Sequence, residues 1–247
     1  MLQYSGGDAR KLLNTLEVVV KSESSSEDFS MDRPVDITDE LVTDRLQENM
    51  AIYDKNGEMH YDIISAFIKS VRGSDPDAAV YWLARMLAGG EDVKFIARRL
   101  VILASEDIGL ANPNALLMAT NCFQAVHMIG MPEARIILSE TTIYLAASAK
   151  SNSAYGAINK ALETVQKTGN LAVPLHLRNA PTSLMKDLGY GKDYQYAHNY
   201  EDHFVRENYL PVDLETPQFY NPGENSREED MRKRLGSLWK EMKNYDK

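Results

Sequence analysis

An all-α fold is predicted by three features of this 247-residue sequence. Apolar residues recur at helical spacing along most of its length, and glycine, proline and asparagine punctuate these stretches at about a helix length. No stretch alternates polar and apolar residues long enough to require a strand.

The elements follow in order. From Asp8, the residues Ala9, Leu12, Leu13, Leu16, Val19 and Val20 fall on one helix face, which predicts a helix over 8–21 with Asp8 as its cap after Gly6-Gly7. Residues 22–36, with three consecutive serines, scattered acids and Pro34, predict an exposed loop. Thr38 is placed to cap a helix running to about Met50, with Asp39 and Glu40 near its positive end. Asp54-Lys55-Asn56-Gly57 reads as a turn and as the boundary between two domains. Beyond it, Ile63, Ile64, Phe67, Ile68 and Val71 make a stripe that ends at Gly73. Ser74-Asp75-Pro76 then opens a helix that carries Ala79, Val80, Leu83, Met86 and Leu87 to Gly89-Gly90. Further helices are predicted over 91–106, 113–129, 132–149 and 152–168, separated by Gly109, Asn112-Pro113, Gly130 and Gly169. Residues 171–225 lose this regularity, and six of the thirteen tyrosines lie there (Tyr190, Tyr194, Tyr196, Tyr200, Tyr209 and Tyr220). Such rings are expected to be packed, against the helical core or a neighbouring subunit. Ser226 with Glu229 reads as a capping box for a last helix, whose face is Leu235, Leu238, Trp239 and Met242.

Composition narrows the function. The net charge is −9, and it is uneven: residues 1–57 carry −6, residues 58–189 are neutral, and residues 190–247 carry −3. An acidic total argues against a dedicated nucleic-acid module, although a basic stripe on the neutral middle segment is compatible with it. The single Cys122 allows no internal disulfide, no apolar run approaches a membrane span, and no basic apolar leader opens the chain. A reducing cytoplasm, with no membrane partner, is the expectation.

Motifs that would hydrolyse a nucleotide, a GxxxxGK[ST] phosphate loop and a strand ending in acids for magnesium, are missing from these residues. Gly6-Gly7-Asp8-Ala9-Arg10-Lys11 has neither the spacing nor the following Ser or Thr, and by itself reads as a helix cap. His198 and His203 are five apart instead of the i, i+4 of a helical zinc pair, so no metal site is expected. Glu106 and Asp107 are a candidate carboxylate pair for acid–base work, set against a structural reading in which Asp107 bonds backbone at the junction before Gly109. Arg98, Arg99 and Arg178 are candidates either for gripping phosphates or for ion pairs with acids such as Asp107.

Several motifs carry a resemblance. Ser5-Gly6-Gly7-Asp8-Ala9-Arg10, followed by Leu13-Asn14 and Leu16-Glu17, resembles the sensor 2 motif that opens the lid helix of clamp-loader-like AAA+ ATPases. Ile64-Ser65-Ala66-Phe67-Ile68-Lys69-Ser70-Val71-Arg72-Gly73-Ser74-Asp75-Pro76 is similar to the replication-associated recombination protein A family, also called RarA or MgsA. Tyr81-Trp82-Leu83-Ala84-Arg85, Ala104-Ser105-Glu106-Asp107-Ile108-Gly109, the stretch from Pro174 to Pro181-Thr182, and Leu188-Gly189-Tyr190-Gly191 continue the match over essentially the whole chain.

The resemblance implies a small helical AAA+ lid (1–57) followed by a larger clamp-loader-collar-like helical domain (58–247). It implies the lid and oligomerisation portion of a DNA-dependent ATPase, without the ATP-hydrolysing core, so that this chain alone is not expected to hydrolyse ATP. In the parent, ATP and Mg2+ are the cofactors, and Arg10 is the one catalytic and nucleotide-binding residue that transfers, as the sensor 2 arginine reaching the γ-phosphate. The implied partners are three further copies in a homotetramer, DNA at forks, gaps or single-strand ends, and single-stranded-DNA-binding protein, in the cytoplasm at the nucleoid. A free-standing helical scaffold or adaptor is the alternative, and a small hydrolase built on Glu106 or Asp107 ranks last.

Overall fold

Ile63, Ile64, Phe67 and Val71 line the buried side of helix α1 (Glu58–Arg72), as their spacing predicts, and the chain continues into a core of four more helices. The computed structural model describes residues 12–13, 16–17, 19–20, 37–42, 58–214 and 217–245. Arg10, the serine-rich stretch and the turn at Gly57 lie outside the described residues. Within them, 12–13, 16–17, 19–20 and 39–42 are helical, and the Thr38 hydroxyl accepts from the Leu41 N–H at 3.2 Å, which is the expected cap. Val19 and Val42 are buried, with Ile37 and Leu41 packed against them.

Helix α2 (Pro76–Ala88) starts where Asp75 accepts from the Ala78 N–H at 2.9 Å, and α3 (Val93–Leu103) where Asp92 accepts from the Lys94 N–H at 3.0 Å. Helices α4 (Asn114–Ile129) and α5 (Ala134–Ala147) follow. Helix α5 packs against all four of the others, so Leu138 and Leu145 meet Phe67, Leu83, Met86, Ile96 and Leu100 in one core. Each of these fully buried side chains contributes about 1.5–3 kcal/mol from water exclusion. No strand occurs among the described residues, and none of their helices is long and apolar enough to cross a membrane. The fold is all-α.

Two predicted elements change. The helix expected over 91–106 is regular only to Leu103; Ala104–Ile108 then widens into a π-helical turn, and Gly109–Ala111 tightens into a 3-10 turn. The expected capping box of Ser226 and Glu229 is displaced by one residue. Asn225 caps α8 (Ser226–Trp239) by accepting from the Glu228 N–H at 3.0 Å, and its own amide donates to Glu228 Oε2 at 2.6 Å. The reason lies outside the helix: Glu228 is completely buried, and Ser153, at the start of α6 (Ser153–Thr168), and Tyr220, at 3.2 Å, donate to its other oxygen.

Outside the core the described chain is irregular. The described part of residues 171–225 contains 3-10 turns and one short helix, α7 (Ser183–Asp187). Tyr194, Tyr196, Tyr200 and Tyr209 are between 41% and 55% exposed, so of the two expected surfaces, the core and a neighbouring subunit, the core of this chain does not cover them.

Burial by itself would raise the Glu228 carboxyl. Hydrogen bonds from Ser151 and Ser153, from the Gly223 backbone and from Asn225 outweigh it and bring the group from 4.5 down to about 2. A carboxylate depressed on folding stabilises fully above its unfolded value, so this contribution is present above pH 4.5 and is lost as the pH falls toward about 2. The difference corresponds to roughly 3 kcal/mol. Thermal unfolding followed by circular dichroism is expected to show the midpoint falling below about pH 4.5, and Glu228→Gln to lower the midpoint at neutral pH and flatten that acid slope. An unchanged acid slope in the variant contradicts the assignment.

Candidate functional site at the Asp107 junction and the Arg178 cleft

The π-turn after α3 carries Asp107 to the side of α1, where Arg72 ends that helix. Arg72 Nε donates to Asp107 Oδ1 at 2.5 Å and Nη2 to Oδ2 at 3.3 Å, a two-pronged geometry that suits a guanidinium and a carboxylate. The same Nη2 reaches Glu106 Oε1 at 3.4 Å. Both acids proposed for acid–base work are therefore engaged by one guanidinium. The structural alternative also needs correction: the Asp107 carboxylate bonds Arg72, and it is the Asp107 carbonyl that meets backbone, accepting from the Ser151 N–H at 2.8 Å. Arg98 and Arg99 are not the partners. Arg98 pairs with Asp92 at 3.6 Å on the surface.

The five-residue span of the π-turn closes with the Gly109 N–H on the Ala104 carbonyl. Gly109 sits at φ +47°, and a Cβ there would lie 2.8 Å from the Ser151 carbonyl oxygen, so glycine alone allows the two segments to touch. Next to them, Lys150 Nζ donates to the carbonyls of Leu145 (3.2 Å), Ala146 (2.9 Å) and Ser148 (2.7 Å), closing the end of α5, and to Ser74 Oγ at 2.8 Å in the α1–α2 turn. Burial pulls the Lys150 ammonium below its ordinary range, while the nearby Asp107 charge opposes this. The Arg72-Gly73-Ser74, Glu106-Asp107-Ile108-Gly109 and Lys150-Ser151 segments thus meet at one junction. Lys150, Ser151 and Glu228 had no signal of their own in the sequence; Arg72 had one, through its place in the motif that runs into Ser74-Asp75-Pro76.

A second constellation forms in the irregular segment. Arg178 Nε donates to the Val173 carbonyl at 2.7 Å and Nη1 to the Tyr190 hydroxyl at 3.1 Å, with the guanidinium 5.0 Å from the centre of the Tyr190 ring. The Gly191 N–H bonds the Leu175 carbonyl at 2.9 Å, and at φ +69° its missing side chain leaves room for the Arg178 carbonyl, 3.2 Å from where a Cβ would stand. These bonds shape a cleft of about 460 Å3 lined by Arg178, Asn179, Tyr194 and Tyr209 among others. His176 Nε2 lies 3.4 Å from Glu207 at its side. His198 and His203 come together, their rings 5.1 Å apart, through positive φ at Asp202 and His203. No group of three potential ligands among the described residues is placed to hold a metal ion.

Comparison with known proteins decides the family. The model for the MgsA AAA+ ATPase C terminal matches residues 73–239, and that for the AAA C-terminal domain matches residues 1–72. The chain belongs to the MgsA AAA+ ATPase C-terminal family. It is 46% identical over 225 residues to replication-associated recombination protein A of Coxiella burnetii, covering 90% of this chain and 50% of that protein. It is 43% identical over 230 residues to the Bacillus subtilis protein of the same name, covering 93% and 53%, and 40% identical over 232 residues to the ATPase WRNIP1 of Dictyostelium discoideum, covering 89% and 26%. The chain thus spans about half the length of these bacterial relatives. The two matched regions meet between Arg72 and Gly73, at the end of α1, while the buried face of α1 belongs to the core of the MgsA-type region.

Removing the guanidinium leaves Asp107 buried without its partner, so Arg72→Ala is expected to destabilise the chain by about 1–3 kcal/mol. Gly109→Ala is expected to cost at least as much, since it adds backbone strain to a steric clash. Urea unfolding at neutral pH measures both; a loss under about 0.5 kcal/mol in either removes that contact from the account.

Proposed function

We propose that this chain is the lid and collar portion of a DNA-dependent AAA+ ATPase that acts in replication-fork maintenance, recombination and DNA repair. The observation that carries the reading is the pair of adjoining family matches, an AAA C-terminal domain followed by the MgsA C terminal, over a chain similar to half of several replication-associated recombination proteins. In this reading residues 1–57 are the lid and residues 58–247 the collar. ATP and Mg2+ are bound by residues of the parent beyond this chain, and Arg10 reaches the γ-phosphate from the lid. A charge-assisted bond of this kind is worth about 1.5–3 kcal/mol, enough to link lid position to nucleotide state. Arg72 then fastens the first collar helix to the rest of the collar through Asp107.

The collar assembles as a homotetramer. Helix α6 supports this: it buries no residue, yet Tyr155, Ile158, Leu162 and Val165, at helical spacing, are each about half exposed. DNA forks, gaps or single-strand ends and the single-stranded-DNA-binding protein are the parent's partners, in the cytoplasm at the nucleoid.

Two measurements test this. In the chain rejoined to an ATPase core, Arg10→Ala is expected to lower DNA-stimulated turnover at least tenfold, and unchanged turnover and nucleotide affinity would sink the sensor role. Light scattering is expected to give a tetramer for the 247-residue chain at micromolar concentration and smaller species for Leu162→Asp; a wild-type monomer excludes the assembly role.

A further inference from the structure

The Arg178 cleft has the chemistry of a receptor for a flat, edge-polar ring carrying an anion. Two of its walls are the half-exposed rings of Tyr194 and Tyr209. Both residues line the same cleft as Arg178 and Asn179. The Arg178 guanidinium is held in place by the Val173 carbonyl and Tyr190, which occupy Nε and Nη1 and leave Nη2 without a described partner. Asn179, exposed at the same wall, has a carboxamide with no partner among the described residues, so both donors and its acceptor remain available. A cleft of about 460 Å3 is within the range that encloses small ligands. Stacking rings, an amide that reads donor and acceptor edges, and a fixed guanidinium are the parts with which proteins hold an unpaired nucleotide.

We propose that this cleft receives one unstacked base of a single DNA strand, with its ring against Tyr194 and Tyr209, its edge on Asn179 and the adjoining phosphate on Arg178. The proposal rests on the DNA-acting reading above and deepens it by choosing the strand form. A paired base has its face covered by its neighbours and cannot enter, so the cleft selects gaps, forks and ends over intact duplex. One guanidinium neutralises about one phosphate, which makes the salt dependence shallow. Glu207 lies at the side of the cleft, with His176 Nε2 3.4 Å from its carboxylate. The lack of a basic face on residues 190–247 is then no obstacle, since stacking, and not net charge, supplies the affinity.

The test uses the 247-residue chain with a thymine oligonucleotide carrying one 5-iodouracil, cross-linked by light and mapped by mass spectrometry, alongside fluorescence anisotropy with the same strand and with duplex. An adduct at Tyr194 or Tyr209 is expected. Tyr194→Ala and Asn179→Ala, both at exposed positions and checked for unchanged thermal unfolding, are each expected to weaken single-strand binding about tenfold and leave duplex binding as it is. Tyr194→Phe, which keeps the ring, is expected to bind like wild type. Adducts confined to other parts of the chain, or a Tyr194→Ala variant that binds the strand as wild type does, overturn the cleft while the DNA-acting reading stands. No binding of the strand by the chain also overturns the cleft, and the DNA-stimulated turnover of the rejoined protein then judges the broader reading separately.

Discussion

Asp107 holds three parts of the chain with one residue. Its carboxylate takes the Arg72 guanidinium from the end of α1, its carbonyl takes the Ser151 N–H from the connection between α5 and α6, and its own place is set by the π-turn that ends α3. A regular α-turn in place of Ala104–Ile108 would rotate the side chain by the angle of one residue and point it away from Arg72. The widened turn is thus the constraint on which the junction depends, and Gly109 makes it possible by letting the next segment approach Ser151 without a side chain between them.

From that junction the structure extends in two directions. Inward, α5 contacts each of the other core helices, and Lys150 caps its end while reaching Ser74, so the packing of the core and the α1–α2 turn are set together. Outward, Ser151 leads to Ser153 and the buried Glu228, which fixes where α8 begins and draws the C-terminal segment onto the start of α6. The polar chain from Arg72 through Asp107 and Ser151 to Glu228 therefore joins the first core helix to the last helix of the chain. By contrast, the outer face of α6 and the rings of Tyr194, Tyr196, Tyr200 and Tyr209 remain half exposed. The hydrogen-bonded junction and the half-exposed surfaces are thus separate parts of the described chain.

The main helices were legible because each has its own local signals. The α1 stripe of Ile63, Phe67 and Val71, the caps at Thr38 and Asp75, and the glycine stops at Gly89-Gly90, Gly130 and Gly169 all act within a few residues. Legibility ended where a distant residue decided the outcome. The Ser226–Glu229 box satisfies the local rule, yet Asn225 and Glu228 form the cap because Ser153 and Tyr220 hold Glu228 from elsewhere in the chain. Likewise Arg98 and Arg99 were nearer in sequence to Asp107 than Arg72, and neither is its partner. In the aromatic segment ring content pointed to packing on the core or on a neighbouring subunit; Tyr220 reaches Glu228, while Tyr194, Tyr196, Tyr200 and Tyr209 stay half exposed in the single chain.

Sequence alone determined that the chain is helical, where its core helices run, and, through its long uninterrupted motifs, the family to which it belongs. These properties depend on neighbours within a turn or two, or on residue identity itself. Only the tertiary structure decided which charges pair, why Gly109 and Gly191 are glycines, and that Arg178, Asn179, Tyr194 and Tyr209 share a cleft. Ion pairs, close backbone approaches and clefts are relations between segments far apart in the chain, and no local spacing encodes which of the possible partners will meet.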